Sequence, residues 1–216
     1  MHDYQREFIE FALQEEVLRF GEFTLKSGRV SPYFFNSGLF NTGPALLRLA
    51  RFYVQAIELS GVEFDMVFGP AYKGIPLAAA VAIAYAEQPG RSLALSFNRK
   101  EEKDHGEGGL TLGAPLAGRV LIIDDVITAG TSVNHSLSLI RAAGAKAAGV
   151  AIALDRQEKG ARGDSAVRDI RTTHGIPVVS IVAMADIVEF LRGRPGAEDH
   201  LHAITRYRGE FGVGPA

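Results

Sequence analysis

The chain has 216 residues, a formal net charge of −2 at pH 7 and no cysteine. The small net charge excludes a global basic field that would attract nucleic acid or a membrane surface, and the lack of cysteine excludes disulfides and thiol chemistry. Apolar residues make up 47% and charged residues 22%, which is ordinary for a globular protein with a sizeable core. No apolar run approaches the roughly 20 residues that span a bilayer, so we expect a cytoplasmic protein.

The first 40 or so residues predict a small α+β lobe. Apolar residues recur at helical spacing from Tyr4 to Phe20, and Gly21 is the expected end of this helix. Two β-prone pieces follow, GEFTLKSGR and SPYFFNSG, with the turn Ser27-Gly28 between them. Because these pieces precede the regular alternation of strands and helices, we expect them to form a lobe beside the central sheet.

Strands and helices then alternate to the end of the chain. Thr42 or Asn41 can cap a helix that ends near Gly61. Strands are predicted over 65–68, 92–98, 120–123, 149–154 and 177–182, and helices over 75–86, 131–143, 166–173, 186–191 and 198–207. This pattern indicates an α/β fold, namely a doubly wound, mainly parallel five-stranded sheet flanked by helices. With no internal repeat or linker, residues 1–216 are predicted to form one domain.

The most informative stretch is RVLIIDDVITAGTS, from Arg119 to Ser132. Its apolar run predicts a strand buried on both faces, and Asp124 and Asp125 follow at the end of that strand. A small, hydroxyl-rich turn then opens a helix, which places carboxylates beside free backbone N–H groups. Such a turn suits a ligand that carries both hydroxyls and phosphate. An Asp-Asp pair alone is often a mere turn feature; the TAGTS sequence after it favours binding.

Two other loops follow strands and are expected at the same edge of the sheet. GPAYKG has the glycine spacing of a P-loop, but Ile75-Pro76 replace the Lys-Ser/Thr that such a loop needs, so ATP hydrolysis is not supported. The second, Arg99 to Leu112, contains RKEEKDHGEGG and lacks periodicity, which predicts a long mobile loop. Lysine and arginine in these loops suit a second, more highly charged phosphate group.

The stretch VLIIDDVITAGTS resembles the phosphoribosyl-pyrophosphate motif of the type I phosphoribosyltransferases. YQREFIEFAL, FGEFTLKSGR, SPYFFNSG, FGPAYKGIP, FNRKEEKDHGEGG and ALDRQEKG extend the resemblance to the orotate phosphoribosyltransferase family over nearly the whole chain. The resemblance implies Mg²⁺-dependent transfer of phosphoribose from phosphoribosyl pyrophosphate to orotate, which yields orotidine monophosphate in pyrimidine biosynthesis. It also implies a homodimer with shared active sites, a mobile loop that closes during turnover, and a cis peptide at Ala71-Tyr72.

The resemblance also assigns roles to residues. The predicted catalytic residues are Lys103, Asp125, Arg99 and His105. The predicted contacts with phosphoribosyl pyrophosphate are Lys26, Tyr72, Lys73, Arg99, Lys100, Lys103, His105, Asp124, Asp125, Val126, Ile127, Thr128, Ala129, Gly130, Thr131 and Ser132. The predicted contacts with orotate are Phe34, Phe35, Thr128 and Arg156. No side chain is predicted to ligate the metal directly, because the substrate would hold Mg²⁺.

Two alternatives remain open from the sequence. A phosphoribosyltransferase for a purine base would share the donor motif, but SPYFFNSG and DRQEKG disfavour it. A regulatory protein could keep the sugar-phosphate site without catalysis, and the intact RKEEKDHGEGG loop disfavours that. Individual residues also have structural interpretations: Phe34-Phe35 could belong to the core, and Arg156 could form an ordinary ion pair.

Overall fold

The structure is a computed structural model that describes residues 1–25, 28–103, 109–160 and 163–214, without the side chains of 100–103. The N-terminal lobe begins with α1 (Asp3–Gln14), followed by β1 (Leu18–Thr24) and β2 (Val30–Phe35), which pair antiparallel. The predicted helix to Phe20 is therefore wrong in its last part. Phe20 lies opposite Tyr33 in the hairpin, and Gly21 lies within β1, because cross-strand pairing overrides the helical periodicity.

The central sheet has six strands in the order β5-β4-β3-β6-β7-β8. Their bounds are β3 (Met66–Gly69), β4 (Ala94–Lys103), β5 (Gly109–Gly113), β6 (Arg119–Ile123), β7 (Lys146–Asp155) and β8 (Val178–Ala183). Five of these strands run parallel, as predicted, and β5 pairs antiparallel with β4 at one edge.

The sixth strand corrects the expected course of the segment from Arg99 to Leu112. Residues 99–103 continue β4, and residues 109–112 return along it in β5, with Phe97 opposite Leu112. Without β5, the edge of β4 would leave a row of backbone groups unpaired, and the returning chain pairs with them. Residues 104–108 lie outside the described residues.

Helices cover both faces of the sheet. They are α2 (Gly43–Ser60), α3 (Gly74–Ala86), α4 (Thr131–Ala142), α5 (Ala166–His174), α6 (Met184–Leu191) and α7 (Glu198–Phe211). Residues of β6 alternate between two apolar clusters: Leu121 and Ile123 join the cluster containing α1, α2, α3, α6 and α7, while Val120 and Ile122 join the one containing α4 and α5. This confirms a strand buried on both faces, as the apolar run predicted.

The sequence signals for helix ends are confirmed at α2. Thr42 Oγ1 accepts a hydrogen bond from the backbone N–H of Ala45, and Gly61 ends the helix with a φ of 68°. In the part of the chain that the structure describes, no helix is both long and apolar enough to cross a membrane.

Candidate active site

An acidic pair follows β6 where the parallel strands reach their carboxyl ends. Asp124 and Asp125 are 8% and 6% exposed, so neither carboxylate is well hydrated. The backbone N–H of Asp125 donates to Asp124 Oδ1 at 2.9 Å, and the Tyr53 hydroxyl donates to the backbone carbonyl of Asp124 at 2.8 Å. These bonds fix the backbone of the pair between α2 and β6.

Burial raises the pKa of Asp124 to about 6, and repulsion by the charge of Asp125 adds to this effect. Hydrogen bonds from the backbone N–H of Asp125 and from Ser132 Oγ, at 3.2 Å, act in the opposite direction. A ligand hydroxyl that donates to Asp124 would stabilise its charged form. The pair thus offers carboxylate acceptors to a ligand that carries hydroxyl donors.

Asp125 is paired with a cation from a different loop. Lys73 Nζ lies 2.8 Å from Asp125 Oδ2, and Ser37 Oγ donates to the same oxygen at 2.6 Å. The Lys73 side chain is 55% exposed, so its ammonium can be reached from solvent while it holds the carboxylate. The structure thus joins the loop after β3 to the acidic pair, and it adds Ser37, which the sequence did not single out.

The GPAYKG loop that carries Lys73 is built on a close backbone approach. A Cβ atom on Gly69 would lie 2.3 Å from the Gly74 carbonyl oxygen, and one on Gly74 would lie 2.4 Å from Pro70 Cδ. Only glycine fits at these two positions. The Ala71-Tyr72 peptide is cis, as predicted, and the backbone N–H of Ala71 donates to Asn98 Oδ1 at 2.7 Å.

The turn after the acidic pair leads into α4 without a side-chain cap. Gly130 occupies the N-cap position with a φ of 72°, so the first N–H groups of α4 receive no hydrogen bond from a capping side chain. Such a helix start attracts anions. Thr128, Ala129, Thr131 and Ser132 are exposed around it. Ile127 is instead buried in the α4–α5 cluster, and the partly buried Val126 packs against the other cluster.

The predicted cationic residues of the β4–β5 hairpin are only partly described. Arg99 lies in β4, where its Nη1 donates to the Gly109 carbonyl at 3.5 Å. Lys100 and Lys103 lie in the same strand, but their side chains fall outside the description. His105 and Lys26 are not among the described residues. Their predicted roles therefore remain predictions.

Arg156, at the end of β7, is held in a cluster beneath the N-terminal hairpin. Its Nη2 and Nε donate to Glu158 Oε1 at 2.8 and 3.1 Å, and Nε also lies 3.1 Å from the Tyr33 hydroxyl. Its ion-pair partner is thus Glu158, not the neighbouring Asp155. Burial acts to lower the pKa of Arg156, but electrostatic interactions and hydrogen bonds with Tyr33 and Glu158 outweigh it and raise the pKa, so Arg156 stays a cation. Sequence reasoning missed Tyr33 and Glu158, because the two are 125 positions apart.

Phe34 and Phe35 point to different surroundings, as neighbours in a strand do. Phe34 is half-buried and stacks on Phe23 at 5.5 Å, and the Arg19 guanidinium lies 5.8 Å from its ring centre. Phe35 is also half-buried and packs against the apolar cluster that contains α1, α2, α3, α6 and α7. Phe35 therefore contributes to the core, whereas Phe34 packs within the N-terminal lobe.

Comparison with known proteins agrees with this geometry. Residues 38–183 match the family model described as phosphoribosyl transferase domain. An orotate phosphoribosyltransferase from Thioalkalivibrio sulfidiphilus is 61% identical over 213 residues, which cover 99% of this chain and 100% of the relative. The chain belongs to the orotate phosphoribosyltransferase family.

Other members of the orotate phosphoribosyltransferase family give the same result. The enzyme of Pseudomonas aeruginosa strain PAO1 is 58% identical over 99% of this chain and 100% of its own length. A crystal structure of orotate phosphoribosyltransferase from Francisella tularensis superposes with a TM-score of 0.87 at 44% identity, covering 96% of this chain and 100% of that one. The fold of this chain, including its lobe and central sheet, thus matches that of a solved member of this family.

Proposed function

We propose that this chain transfers the 5-phosphoribosyl group from phosphoribosyl pyrophosphate to orotate, with release of pyrophosphate. The observation that carries the proposal is the buried Asp124–Asp125 pair, which lies between the uncapped start of α4 and the ammonium of Lys73. Membership in the orotate phosphoribosyltransferase family supports orotate as the acceptor.

Two kinds of group bind the phosphoribosyl donor. Asp124 and Asp125 accept hydrogen bonds from the vicinal hydroxyls of ribose, and the backbone N–H groups of the turn 126–132 bind the terminal phosphate at the start of α4. Lys73 can then change its ion-pair partner, because its exposed ammonium can leave Asp125 and bind a pyrophosphate oxygen. Binding of phosphoribosyl pyrophosphate thus exchanges the ion pair within the protein for ion pairs with the substrate.

Catalysis needs charge stabilisation more than proton transfer. Cleavage of the bond from ribose C1 to pyrophosphate develops positive charge on the sugar and negative charge on the leaving group. We place five basic residues around the leaving group: Lys73, Arg99, Lys100, Lys103 and His105. The carboxylates of the acidic pair are compatible with the positive charge that develops on the sugar. Closure of the β4–β5 hairpin over the site would exclude water, which otherwise hydrolyses the activated sugar.

Orotate is an anion, so its recognition needs a fixed cation. An arginine presents five N–H donors, and a carboxylate can accept from two of them side by side. The hydrogen bonds that described residues make with Arg156 use its Nε and one Nη2 position. We place the carboxylate of orotate on the other edge of this guanidinium, with Thr128, Phe34 and Phe35 near the base.

Magnesium and a partner subunit complete the proposal. The described residues contain no cluster of three or more His, Cys, Asp or Glu side chains that could hold a metal ion. We propose that Mg²⁺ is carried mainly by the substrate, with the hard carboxylate oxygens of the acidic pair nearby. When bound, the ion would neutralise charge on the pyrophosphate. We further propose a single domain that acts in the cytoplasm as a homodimer with shared sites.

The function is tested by following orotate absorbance in the presence of phosphoribosyl pyrophosphate and Mg²⁺. We expect consumption of orotate that depends on both additions. Parallel reactions with uracil, which lacks the carboxylate, and with hypoxanthine, a purine base, should give little or no product. Absence of orotate consumption would contradict the proposal, and faster use of hypoxanthine would favour the purine alternative.

Arg156→Ala is expected to raise the KM for orotate by about 10- to 100-fold, since a charge-assisted pair is worth roughly 1.5–3 kcal/mol. The KM for phosphoribosyl pyrophosphate should change little. Arg156→Lys keeps the charge without the planar fork and should fall between the two. Initial rates with each substrate varied in turn measure the effect, and equal changes in both KM values would contradict the orotate contact.

A further inference from the structure

The last described residues return to the loop that carries Arg156. Beyond the end of α7, Gly212 forms an isolated antiparallel bridge with Glu158. The backbone N–H of Lys159 donates to the Phe211 carbonyl at 2.8 Å, and that of Val213 donates to the Gln157 carbonyl at 2.8 Å. We call residues 211–213 the C-terminal strap. The strap holds the loop backbone at both sides of Glu158.

The loop itself needs such support. Gln157 has a φ of 51°, a left-handed conformation that side-chain-bearing residues rarely adopt. Its side chain is buried, and its Oε1 accepts from the backbone N–H of Ala185 at 3.0 Å and from Arg208 Nη2 at 3.4 Å. The loop conformation is therefore maintained by contacts from α6, from α7 and from the strap.

Glu158 transmits this support to the guanidinium. Its Oε1 accepts from both Nε and Nη2 of Arg156 and also from the Tyr33 hydroxyl. The side chains of Arg156 and Glu158 are only 21% and 15% exposed. A displacement of the Glu158 backbone would therefore move the acceptor that orients Arg156.

We propose that the C-terminal strap, acting through Glu158, positions Arg156 for recognition of the acceptor carboxylate. The strap and Glu158 are positioning elements, and the ligand they serve is a carboxylate-bearing base. This inference rests on the proposed function, which places orotate on Arg156. It assigns to the chain end a role in acceptor affinity that is separate from donor binding, because the strap lies on the loop after β7 and not on the acidic pair.

Two glycines of the chain end provide a matched test. A Cβ atom on Gly212 would lie 2.4 Å from the Arg208 carbonyl oxygen, whereas one on Gly214 would meet nothing within 4 Å. Gly212→Ala should therefore shift the strap, and Gly214→Ala should not. We expect Gly212→Ala to raise the KM for orotate about tenfold, as for one misplaced charge-assisted contact, with kcat and the KM for phosphoribosyl pyrophosphate within about twofold of the starting protein.

Glu158→Gln provides a second variant that leaves the strap in place and weakens its link to Arg156. It should show the same selective rise in the KM for orotate. A proportional rise in both KM values would overturn the proposal, because a merely structural defect affects both substrates. A fall in kcat with an unchanged KM for orotate would also overturn it, because acceptor affinity would then not depend on Glu158. Wild-type behaviour of Gly212→Ala would overturn it as well.

A readout without turnover separates this proposal from the proposed function. The side-chain Nε–H signal of Arg156 in ¹⁵N NMR spectra can be assigned by its loss in Arg156→Lys. Its hydrogen exchange should be slow in the starting protein and in Gly214→Ala, and at least about tenfold faster in Gly212→Ala. If the starting protein consumed no orotate, the proposed function would fail while this measurement still tested the strap. Equal exchange in both glycine variants would overturn the positioning role.

Discussion

Asp124→Asn is expected to remove most activity and, at neutral pH, to make the unliganded protein more stable. Loss of the charged acceptor for a ribose hydroxyl should lower kcat/KM about 10- to 100-fold, since a hydrogen bond to a charged group is worth roughly 1.5–3 kcal/mol. The stability gain follows from the pKa of Asp124, which burial and the charge of Asp125 raise from 3.8 to about 6. A carboxylate that serves the ligand is thus a cost to the empty protein.

The sign of the pH dependence follows from proton linkage. Since the pKa of Asp124 is higher in the folded protein, the stability it contributes is fully present below about pH 4 and is lost as the pH rises through about 6. Above that range the charged form costs up to about 3 kcal/mol. The Asn variant should therefore be more stable than the starting protein at pH 7.5 and show no such gain at pH 4. Urea unfolding at both pH values measures this difference.

Asp65→Asn is a control of opposite sign. Hydrogen bonds from Arg119 lower the pKa of Asp65 to about 2, so its contribution is present above about pH 4 and is lost as the pH falls toward 2. This variant should lose some stability at pH 7.5. It should keep full activity, because Asp65 precedes β3 and so lies at the amino ends of the parallel strands, away from the acidic pair. A destabilised Asp124→Asn protein at pH 7.5 would contradict the electrostatic interpretation of the acidic pair.

Lys103→Ala is expected to lower kcat by about 10²- to 10³-fold, the usual effect of removing one donor from a developing anion. The free energy of unfolding should change little, because the interaction with the leaving group forms only during the reaction. Steady-state rates and urea unfolding measure the two effects. Lys146→Ala, an exposed lysine at the start of β7, should leave both unchanged. A loss of stability that matches the loss of activity would contradict a catalytic role.

The same variant tests the shared site of the proposed dimer. Lys103→Ala protein mixed with Asp124→Asn protein should form hybrids in which one site has both intact residues, if the hairpin of one subunit closes over its partner. Random exchange then restores about a quarter of the starting activity. No recovery after verified subunit exchange would mean that each hairpin serves its own subunit.

Local sequence patterns predicted much of the secondary structure correctly. The apolar run 120–123 predicted a doubly buried strand, and Thr42 and Gly61 predicted the ends of α2, because strand burial and helix capping depend on neighbouring residues. These predictions were wrong where pairing with another strand determined the structure of a segment. Phe20 joined the hairpin instead of α1, and residues 109–113 paired with β4 instead of forming an irregular loop.

The sequence by itself determined the local structure of the proposed donor site. Asp124, Asp125 and the turn to Ser132 are contiguous, so strand, carboxylates and helix start follow from one short motif. Only the tertiary structure decided how that motif is completed. Ser37 and Lys73 reach Asp125 from 88 and 52 positions away. Tyr33, Glu158 and the C-terminal strap gather around Arg156 because separate segments pack together, and no spacing within a single segment specifies such contacts.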